Sequence, residues 1–292
     1  MEQENSEAGK IAKEIEAEQP VRSTISNGEP PDPASVHVEA ADELVDLFEN
    51  PMVSIIPLAF DQPKALEKTI KTLVHHNDYP CFEVVISDNS IETPASDEIN
   101  RLCTNWVGEL GNVFHVRNKK NLMHGAGCMA GFNGSDPESK YICFANDDIF
   151  IPASQSDWLV KLVAFMEKNP NVATVTPAMY YPKETVYWIG KTDPEKQYHD
   201  FLHYPKGDHR LPTEPRTSCY SNFALVVTRR YLVEEIPIGQ NCPHYGSDSE
   251  FANRIKDKYP DMEHWVLPDV KIYHYNLFAK RCNHGKEDKT KG

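Results

Sequence analysis

The chain has 292 residues, is 40% hydrophobic and 10% aromatic, and carries a formal net charge of −14. This composition is enough for a sizeable core in one large or two small domains. Thirteen acidic and three basic residues lie within residues 1–50, so most of the negative charge lies there and the rest is nearly balanced. No basic stripe is visible that could neutralise phosphates, which argues against general nucleic-acid binding.

The seven cysteines indicate a reducing compartment. Their number is odd, no CxxC motif occurs, and several lie in apolar runs, where a free thiol behaves as a small hydrophobic side chain. The N-terminus lacks the apolar stretch of a signal peptide, and no apolar run is long enough for a membrane-spanning helix. We therefore expect a cytoplasmic protein with no transmembrane segment.

The first 50 residues differ in composition from the rest. Up to about residue 35 the chain is rich in Glu, Ser and Pro and poor in large apolar residues, which is typical of disorder. The stretch Val36–Glu49 indicates one short helix that docks on the following domain. We expect an acidic, largely disordered tail over residues 1–50, a folded domain over residues 51–278 and a basic tail over residues 279–292.

Strands and helices alternate from residue 53 onward. Short apolar runs predict buried strands, and the segments between them show helical spacing or are rich in glycine. This alternation is typical of an α/β fold with a mostly parallel central sheet flanked by helices. The segments are, in chain order, Val53–Leu58, Ala65–His76, Phe82–Ile86, Pro94–Trp106, Asn112–Arg117, the Gly-rich Asn121–Gly134, and Tyr141–Ala145.

Acidic residues follow three of these strands. Asp61 comes after the first strand, Asp88 after the second, and Asp147 and Asp148 after the fourth. Since parallel strands end at one rim, where open α/β sheets bind ligands, we expect these carboxylates to gather there. Asp147 and Asp148 stand between apolar runs, where adjacent carboxylates are costly unless a cation or hydrogen bonds compensate them. One interpretation is a divalent cation holding a phosphate-bearing substrate; the alternative is a solvated turn with a helix-capping Asp.

The second half of the chain is less regular. Its longest segment without clear periodicity, Tyr180–Arg216, is rich in Tyr, His, Pro and Gly, and such stretches are commonly functional. Asp248 stands where the last helix is expected to begin, so helix capping is the structural alternative to a functional role. The predicted elements are the helix Ser156–Lys168, the strands Val172–Pro177 and Ser221–Thr228, the short helix Arg229–Glu235, the helix Phe251–Lys258 and the strand Glu263–Leu267.

The ordered set of segments resembles the nucleotide-sugar glycosyltransferases of the GT-A fold, in particular family 2. IIPLAFDQ and EVVISDNS are similar to that family's first two strands and their turns, and FANDDIFIP is similar to its metal-binding DxD strand. The Gly-rich segment, GSDSE and VLPDVKIYHYN resemble its Asn- and Gly-rich segment, its later acidic motif and its closing strand. The pattern departs from the family at Asn146, which replaces the first Asp of the metal motif, and at Met123, Met129, Ser247 and Glu250.

The resemblance implies transfer of a sugar from a nucleotide-sugar donor, a UDP-sugar, to a hydroxyl of a glycan or other acceptor. It implies Asp148 and His274 as ligands of Mn²⁺ or Mg²⁺, and Asp248 as the base of an inverting direct displacement. Helix amides near Asp248 are expected to keep its carboxylate ionised. The resemblance divides the domain into a donor-binding half, residues 51–152, and an acceptor and catalytic half, residues 153–278. The substrate-binding residues that it implies are Pro57, Asp61, Asp88, Asn121, Gly125, Asp147 and Glu250.

Two other classes of protein remain open from the sequence. Asn146 and Glu250 would mark a catalytically degenerate sugar-nucleotide-binding or scaffold protein. A metal-dependent nucleotidyltransferase or phosphohydrolase also places Asp pairs at strand ends, but it would need a further nucleophile or a basic phosphate loop. No GxxxxGK[ST] motif occurs in the chain.

Overall fold

The computed structural model describes residues 50–241 and 246–275. The predicted tails and the helix expected over residues 36–49 lie outside the described residues and stay predictions. The elements are β1 (Val53–Ala59), α1 (Pro63–His75), β2 (Phe82–Asp88), α2 (Ser96–Glu109), β3 (Val113–Arg117), α3 (Met123–Asn133), β4 (Tyr141–Asn146), β5 (Ile149–Phe150), a 3₁₀ turn (Ala153–Gln155), α4 (Trp158–Lys168), β6 (Val172–Tyr181), β7 (Thr185–Trp188), β8 (Arg216–Ser218), β9 (Leu225–Arg229), α5 (Arg230–Glu235), α6 (Ser247–Lys258) and β10 (Glu263–His274).

A single ten-stranded sheet forms the centre of the fold. Its main order is β3-β2-β1-β4-β9-β6-β10-β5, with β7 paired to β6 and β8 paired to β10. Strands β3, β2, β1 and β4 are parallel, β9 is antiparallel to both β4 and β6, and β10 is parallel to β6. The predicted α/β fold with a mostly parallel central sheet is confirmed.

Apolar side chains cover both faces of this sheet. Successive residues of a strand point to opposite faces, and Ile55 and Ile56 of β1 accordingly belong to two different core layers. One layer contains Leu66 of α1 and Trp158 of α4, and the other contains Phe251 of α6. The helices therefore flank the sheet on both sides, as the strand–helix alternation predicted.

The Gly-rich segment forms helix α3, and its glycines bring this helix close to the sheet. A Cβ atom at Gly131 would lie 2.3 Å from Cγ2 of Ile56, and one at Gly127 would lie 2.6 Å from Cδ1 of Leu58. Both distances are far below a normal contact, so any larger residue at either position would force the neighbouring side chains to shift. Helix α3 therefore sits directly on β1, next to the rim where β1 ends.

Several predicted boundaries are wrong because long-range strand pairing decides them. The segment predicted to be irregular from Tyr180 contributes the end of β6 and all of β7, which pair antiparallel with each other. The last strand continues to His274 rather than ending at Leu267, because β6 and β5 both pair with its second half. Within the described part of the chain, no helix is long and apolar enough to cross a membrane.

Candidate functional site

The acidic strand ends meet at one rim, as predicted. In the sheet register Leu58 lies beside both Ser87 and Asn146, and Ala59 lies beside Asp88. The carboxyl ends of β1, β2 and β4 are therefore level with one another. This is the edge at which open α/β sheets bind ligands.

Asp148 and His274 come together through the pairing of β5 with β10. Asp147 and Asp148 form the turn between β4 and β5, and the register then places Ile149 opposite His274. As a result Nε2 of His274 lies 2.9 Å from Oδ1 of Asp148, and both side chains are almost fully buried. The side-chain amide nitrogen of Asn146 lies 3.3 Å from the same Nε2.

The side chains of Asp148, His274 and Asn146 together suit a divalent cation. Neighbouring ligands of an octahedral ion with bonds of about 2.1 Å lie roughly 3 Å apart, and the Asp148–His274 separation agrees with that. The second ring nitrogen of His274 is buried with no hydrogen-bond partner among the residues described. No cluster of three or more His, Cys, Asp and Glu side chains able to hold a metal occurs in the described ranges. Further ligands would have to be substrate oxygens or the Asn146 amide oxygen, since amide oxygen and nitrogen are interchangeable by a flip.

Unlike Asp148, Asp147 contacts the turn that follows β1. Its Oδ2 accepts a hydrogen bond of 2.7 Å from the backbone amide of Phe60, so it holds the turn that follows β1. Burial and the Asp148 carboxylate raise the pKa of Asp147 well above its ordinary value, although the Phe60 hydrogen bond opposes them. In this turn Asp61 has a φ of 54°, a conformation that non-glycine residues rarely adopt outside strained, often functional sites. The predicted substrate contacts of Asp147 and Asp61 stay predictions.

Asp88 is at the predicted rim, but its carboxylate is wholly buried. Oδ1 accepts hydrogen bonds from the amide and hydroxyl of Ser90, and Oδ2 lies 3.1 Å from Nε2 of His115 and 3.9 Å from Nε of Arg117. Burial raises the pKa of Asp88, but the hydrogen bonds from His115 and Ser90 outweigh burial and hold the pKa below its usual value. In this structure the Asp88 carboxylate is thus bonded to protein groups behind the rim, and its predicted contact with a nucleobase stays a prediction.

Three other predicted substrate-binding residues have structural roles. Pro57 is buried inside β1, before the rim. The side-chain oxygen of Asn121 accepts a hydrogen bond of 2.9 Å from the amide of Met123, which closes the turn into α3. Gly125 packs against the backbone of Gly239, whose Cα would lie 2.5 Å from an added Cβ. The absence of a side chain at Gly125 is therefore explained by packing.

Asp248 lies in the first turn of α6, which begins at Ser247 after a left-handed Gly246. The prediction that α6 begins at Phe251 is wrong. Oδ1 of Asp248 accepts a hydrogen bond of 2.8 Å from the amide of Ser249. Burial nevertheless outweighs this bond and raises the pKa of Asp248. The expectation that nearby amides keep its carboxylate ionised stays a prediction.

Glu250 is occupied by protein contacts. Its Oε1 lies 3.1 Å from Nδ2 of Asn241 and 3.4 Å from Nη1 of Arg254. Nη1 of Arg254 also donates a hydrogen bond of 2.6 Å to the carbonyl oxygen of Pro237. Through this one oxygen Glu250 ties the chain before α6 to that helix, whereas its buried Oε2 has no hydrogen-bond partner among the described residues, and its predicted contact with substrate stays a prediction.

The sequence did not single out Tyr187, which contacts His274 in this site. The ring of Tyr187 packs edge-on against that of His274, with centroids 4.4 Å apart. Burial raises the pKa of Tyr187, a hydrogen bond from Asn222 opposes it, and the Asp148 and Asp248 carboxylates raise it further. The only hint in the sequence was the abundance of Tyr and His between residues 180 and 216, which does not identify individual residues.

Comparisons with known proteins agree with this architecture. The family model described as glycosyl transferase family 2 matches residues 54–236. A mannosyltransferase, PcManGT, from Pyrobaculum calidifontis, in complex with GDP-Man and Mn²⁺, has a TM-score of 0.56 at 16% identity, over 81% of this chain and 60% of that one. GalNAc-T7 with UDP, GalNAc and Mn²⁺ has a TM-score of 0.58 at 14% identity, over 77% of this chain and 43% of that one.

A third solved structure is S. aureus TarS 1–349 in complex with UDP, with a TM-score of 0.51 at 15% identity, over 76% of this chain and 60% of that one. At these identities the likeness establishes the fold alone, and the chain spans at most 60% of each of the three. No curated protein matches the sequence. Because the family model covers more than half of the residues, the chain belongs to glycosyl transferase family 2 and has its GT-A fold.

Proposed function

We propose that this protein transfers a sugar from a UDP-sugar to a hydroxyl group of a glycan or other acceptor, with a divalent metal and inversion at the anomeric carbon. The observation that carries the proposal is the contact of 2.9 Å between Asp148 and His274 at the rim where β1, β2 and β4 end. It gives a family 2 fold an oxygen and a nitrogen donor at the edge where nucleotide ligands of such sheets bind.

Asp148 and His274 are the proposed metal ligands, with Mn²⁺ favoured over Mg²⁺ because one donor is an imidazole nitrogen. When bound, the ion would stabilise the negative charge that develops on the diphosphate leaving group. Two of the three similar structures hold Mn²⁺, and two hold UDP. That is the support for this metal and this nucleotide.

Asp248 is the proposed general base. A carboxylate whose pKa is raised by burial is a stronger base than an exposed one. It would accept the proton of the acceptor hydroxyl while that oxygen attacks the anomeric carbon of the donor. One displacement without a covalent intermediate inverts the configuration at that carbon.

The proposed donor site lies between the β1 turn and the start of α3. Asp61 in that turn and Met123 at the start of α3 both have positive φ values, 54° and 64°. Such strain in non-glycine residues is found disproportionately at ligand sites. Met123 is also exposed at this rim, and Nδ2 of Asn89 donates a hydrogen bond of 3.0 Å to its carbonyl oxygen. These features support a nucleotide site there, with Asp88 behind it.

The test is a panel of UDP-sugars and GDP-mannose, measured with and without Mn²⁺ for thermal stabilisation and for release of the nucleoside diphosphate. We expect UDP to stabilise the protein only when Mn²⁺ is present, and one UDP-sugar to be slowly hydrolysed. Stabilisation without turnover of any sugar nucleotide would favour the degenerate binding protein instead. Preference for GDP-mannose would overturn the nucleotide assignment, and pyrophosphate release from a nucleoside triphosphate would favour a nucleotidyltransferase.

A further inference from the structure

A row of aromatic rings leads from the proposed metal ligands to the protein surface. The ring of Tyr187 lies edge-on against that of His274, with centroids 4.4 Å apart, and edge-on against that of Tyr181 at 5.2 Å. The ring of Tyr181 in turn is stacked on that of His203, with centroids 5.5 Å apart and planes 22° from parallel. His274 is buried, the two tyrosines are half-buried and His203 is exposed. Tyr187, Tyr181 and His203 form what we call the aromatic strip.

The inner ring of the aromatic strip belongs to a β-bulge. Opposite Met179 and Tyr180 of β6, the paired strand β7 has one extra residue, Tyr187. A bulge takes a side chain out of the ordinary alternation along a strand, and bulges are frequent beside active sites. This irregularity accompanies the position of the Tyr187 ring between those of His274 and Tyr181.

The outer ring is held in a strained backbone conformation. His203 has a φ of 67°, which costs energy for any residue with a Cβ atom. Its amide donates a hydrogen bond of 2.9 Å to the carbonyl oxygen of Val186, and the amide of Val186 donates one of 2.8 Å to the carbonyl oxygen of Tyr204. These two bonds fix the segment of His203 beside β7. Strain of this kind in a residue with an exposed ring is found disproportionately at ligand sites.

The aromatic strip lies away from the proposed donor site. The donor site lies between the turn after β1 and the start of α3, whereas the strip is formed by β6, β7 and the segment that pairs with β7. Strands β4 and β9 separate β1 from β6 in the sheet. A ligand on the strip would therefore reach the group of Asp148 and His274 from another direction than the nucleotide, as an acceptor must.

The chemistry of the aromatic strip suits a sugar ring. A pyranose has an apolar face of C–H bonds and hydroxyl groups around its edge. Tyrosine and histidine match it, because their ring faces are apolar and their edges carry a hydroxyl or ring nitrogens that form hydrogen bonds. A lipid chain would instead need a contiguous apolar surface. Among the described residues, the large apolar side chains that are exposed lie in five separate segments, at Ile91, Met123, Val160, Tyr198 and Tyr231.

We propose that the aromatic strip is an acceptor subsite, in which a sugar ring stacks on Tyr181 and His203, and that the acceptor is therefore a carbohydrate. This inference rests on the proposed function, because it names the acceptor of the proposed transfer. The sugar unit that receives the transferred residue would lie further in, beside Tyr187 and the metal ligands. The strip gives affinity for the acceptor and takes no part in the chemical step.

The test is His203→Asn in the full chain, assayed for transfer to hexasaccharides of glucose, mannose, xylose and N-acetylglucosamine. Asparagine tolerates the left-handed conformation and removes the ring. We expect the KM for the saccharide to rise roughly 3- to 10-fold, the equivalent of one lost aromatic contact. The kcat at saturating saccharide should stay within about twofold of wild type, because the contact is the same in the ground state and the transition state.

Three further variants make the measurement specific. Tyr181→Leu removes the second ring and should raise the saccharide KM by a similar factor, whereas His203→Tyr keeps a flat ring and should retain most of the affinity. His209→Asn is the matched control, since His209 is an exposed histidine of the same segment that lies 3.8 Å from Asp208. Its KM should stay within about twofold of wild type. Binding of the same hexasaccharides without donor is measured by saturation-transfer NMR.

The outcomes separate the subsite from the proposed function. An unchanged saccharide KM in His203→Asn, or the same rise in His209→Asn, would overturn the subsite. Loss of donor hydrolysis or of stabilisation by UDP with Mn²⁺ in His203→Asn would overturn it too, because the ring would then act through Tyr187 and His274. Transfer to a lipid or peptide hydroxyl, with no saccharide used or bound, would overturn the carbohydrate assignment and leave the proposed function standing. If the wild-type protein binds no sugar nucleotide, the proposed function fails, and saccharide binding that is lost in His203→Asn would still support the subsite.

Discussion

Nδ1 of His124 lies 2.9 Å from the hydroxyl oxygen of Ser247, a residue 123 positions further along the chain. His124 is in the first turn of α3, next to the proposed donor site, and Ser247 is the first residue of α6. The backbones of Gly125 and Gly239 also meet between these elements. Helix α3 thereby fixes the start of the helix that carries Asp248 relative to the donor half.

Removing this hydrogen bond should slow the reaction without weakening donor binding. We expect His124→Leu to lower kcat for sugar transfer about 10-fold, because misplacing a base costs rate before it costs affinity. His124→Asn should restore most of the activity, since asparagine places an amide atom near the position of Nδ1. Steady-state kinetics and UDP titration check both variants. Equal activity of the leucine and asparagine variants, or a matching loss of UDP affinity, would contradict this role.

Asp148→Ala should abolish stabilisation by UDP with Mn²⁺ while the protein stays folded. The variant removes the oxygen that lies 2.9 Å from His274, and one imidazole alone is a weak site for a hard cation. Thermal melting with and without UDP and Mn²⁺ measures the effect. Asp157→Ala removes a half-exposed carboxylate paired with Lys161 on α4 and serves as the control. Metal-dependent stabilisation that survives in Asp148→Ala would refute the ligand assignment.

Asp248→Asn should lower transfer by about 10²–10⁴-fold, the usual contribution of general-base catalysis, while donor binding is kept. Product analysis by NMR checks the anomeric configuration, and retention would contradict a direct displacement. In the wild-type protein, activity should fall on the acidic side as the pH drops through the raised pKa of Asp248. A near wild-type rate of the Asn variant would show that another group is the base.

The same raised pKa predicts an effect on stability. Because the folded state holds the Asp248 proton more tightly, the contribution of this group is fully present below its unfolded pKa of about 3.9 and is lost as the pH rises through the folded pKa. Asp248→Asn should therefore melt at a higher temperature than wild type at neutral pH. This difference in melting temperature should vanish near pH 4. A difference that does not change with pH would contradict the raised pKa.

Asp88→Asn should lower stability at neutral pH, which is the opposite of the effect expected for Asp248→Asn. The folded pKa of Asp88 is lowered, so its contribution to stability is present above the unfolded pKa of about 3.9 and is lost as the pH falls through the folded pKa. Hydrogen bonds to a buried charged group are worth on the order of 2–3 kcal/mol, so the free energy of unfolding at pH 7 should drop by about that amount. Denaturant melts at pH 7 and pH 3 should show a large and a small difference, respectively.

Gly125→Ala should destabilise the fold, whereas Gly108→Ala should not. A methyl group at Gly125 would lie 2.5 Å from Cα of Gly239, and overpacking of this kind costs about 1–3 kcal/mol. Gly108 is exposed in α2 with nothing within 4 Å of an added Cβ, so alanine there should stabilise the helix by about 0.5–1 kcal/mol. Chemical denaturation of both variants tests the contrast, and equal stabilities would contradict the close α3 contact.

Local sequence patterns were sufficient to predict the strands and helices of the donor half. Apolar runs of β1, β2 and β4 predict buried parallel strands, and parallel strands must end on one side of a sheet. The gathering of Asp88, Asp147 and Asp148 at one rim follows from these two facts. The helical spacing of residues 65–76 and the proline before it likewise predicted α1, which starts at Pro63.

Tertiary structure alone decided what those side chains contact. Asp88 is buried because His115 and Arg117, on the neighbouring strand β3, reach its carboxylate. Tyr187 meets His274 because β7 and β10 both pair with β6, a relationship that no spacing along the chain encodes. By itself the sequence determined the fold class and the acidic rim, because periodicity and strand direction are local properties. Which of the carboxylates face a ligand depends on side-chain packing between distant strands, and that only the folded structure decides.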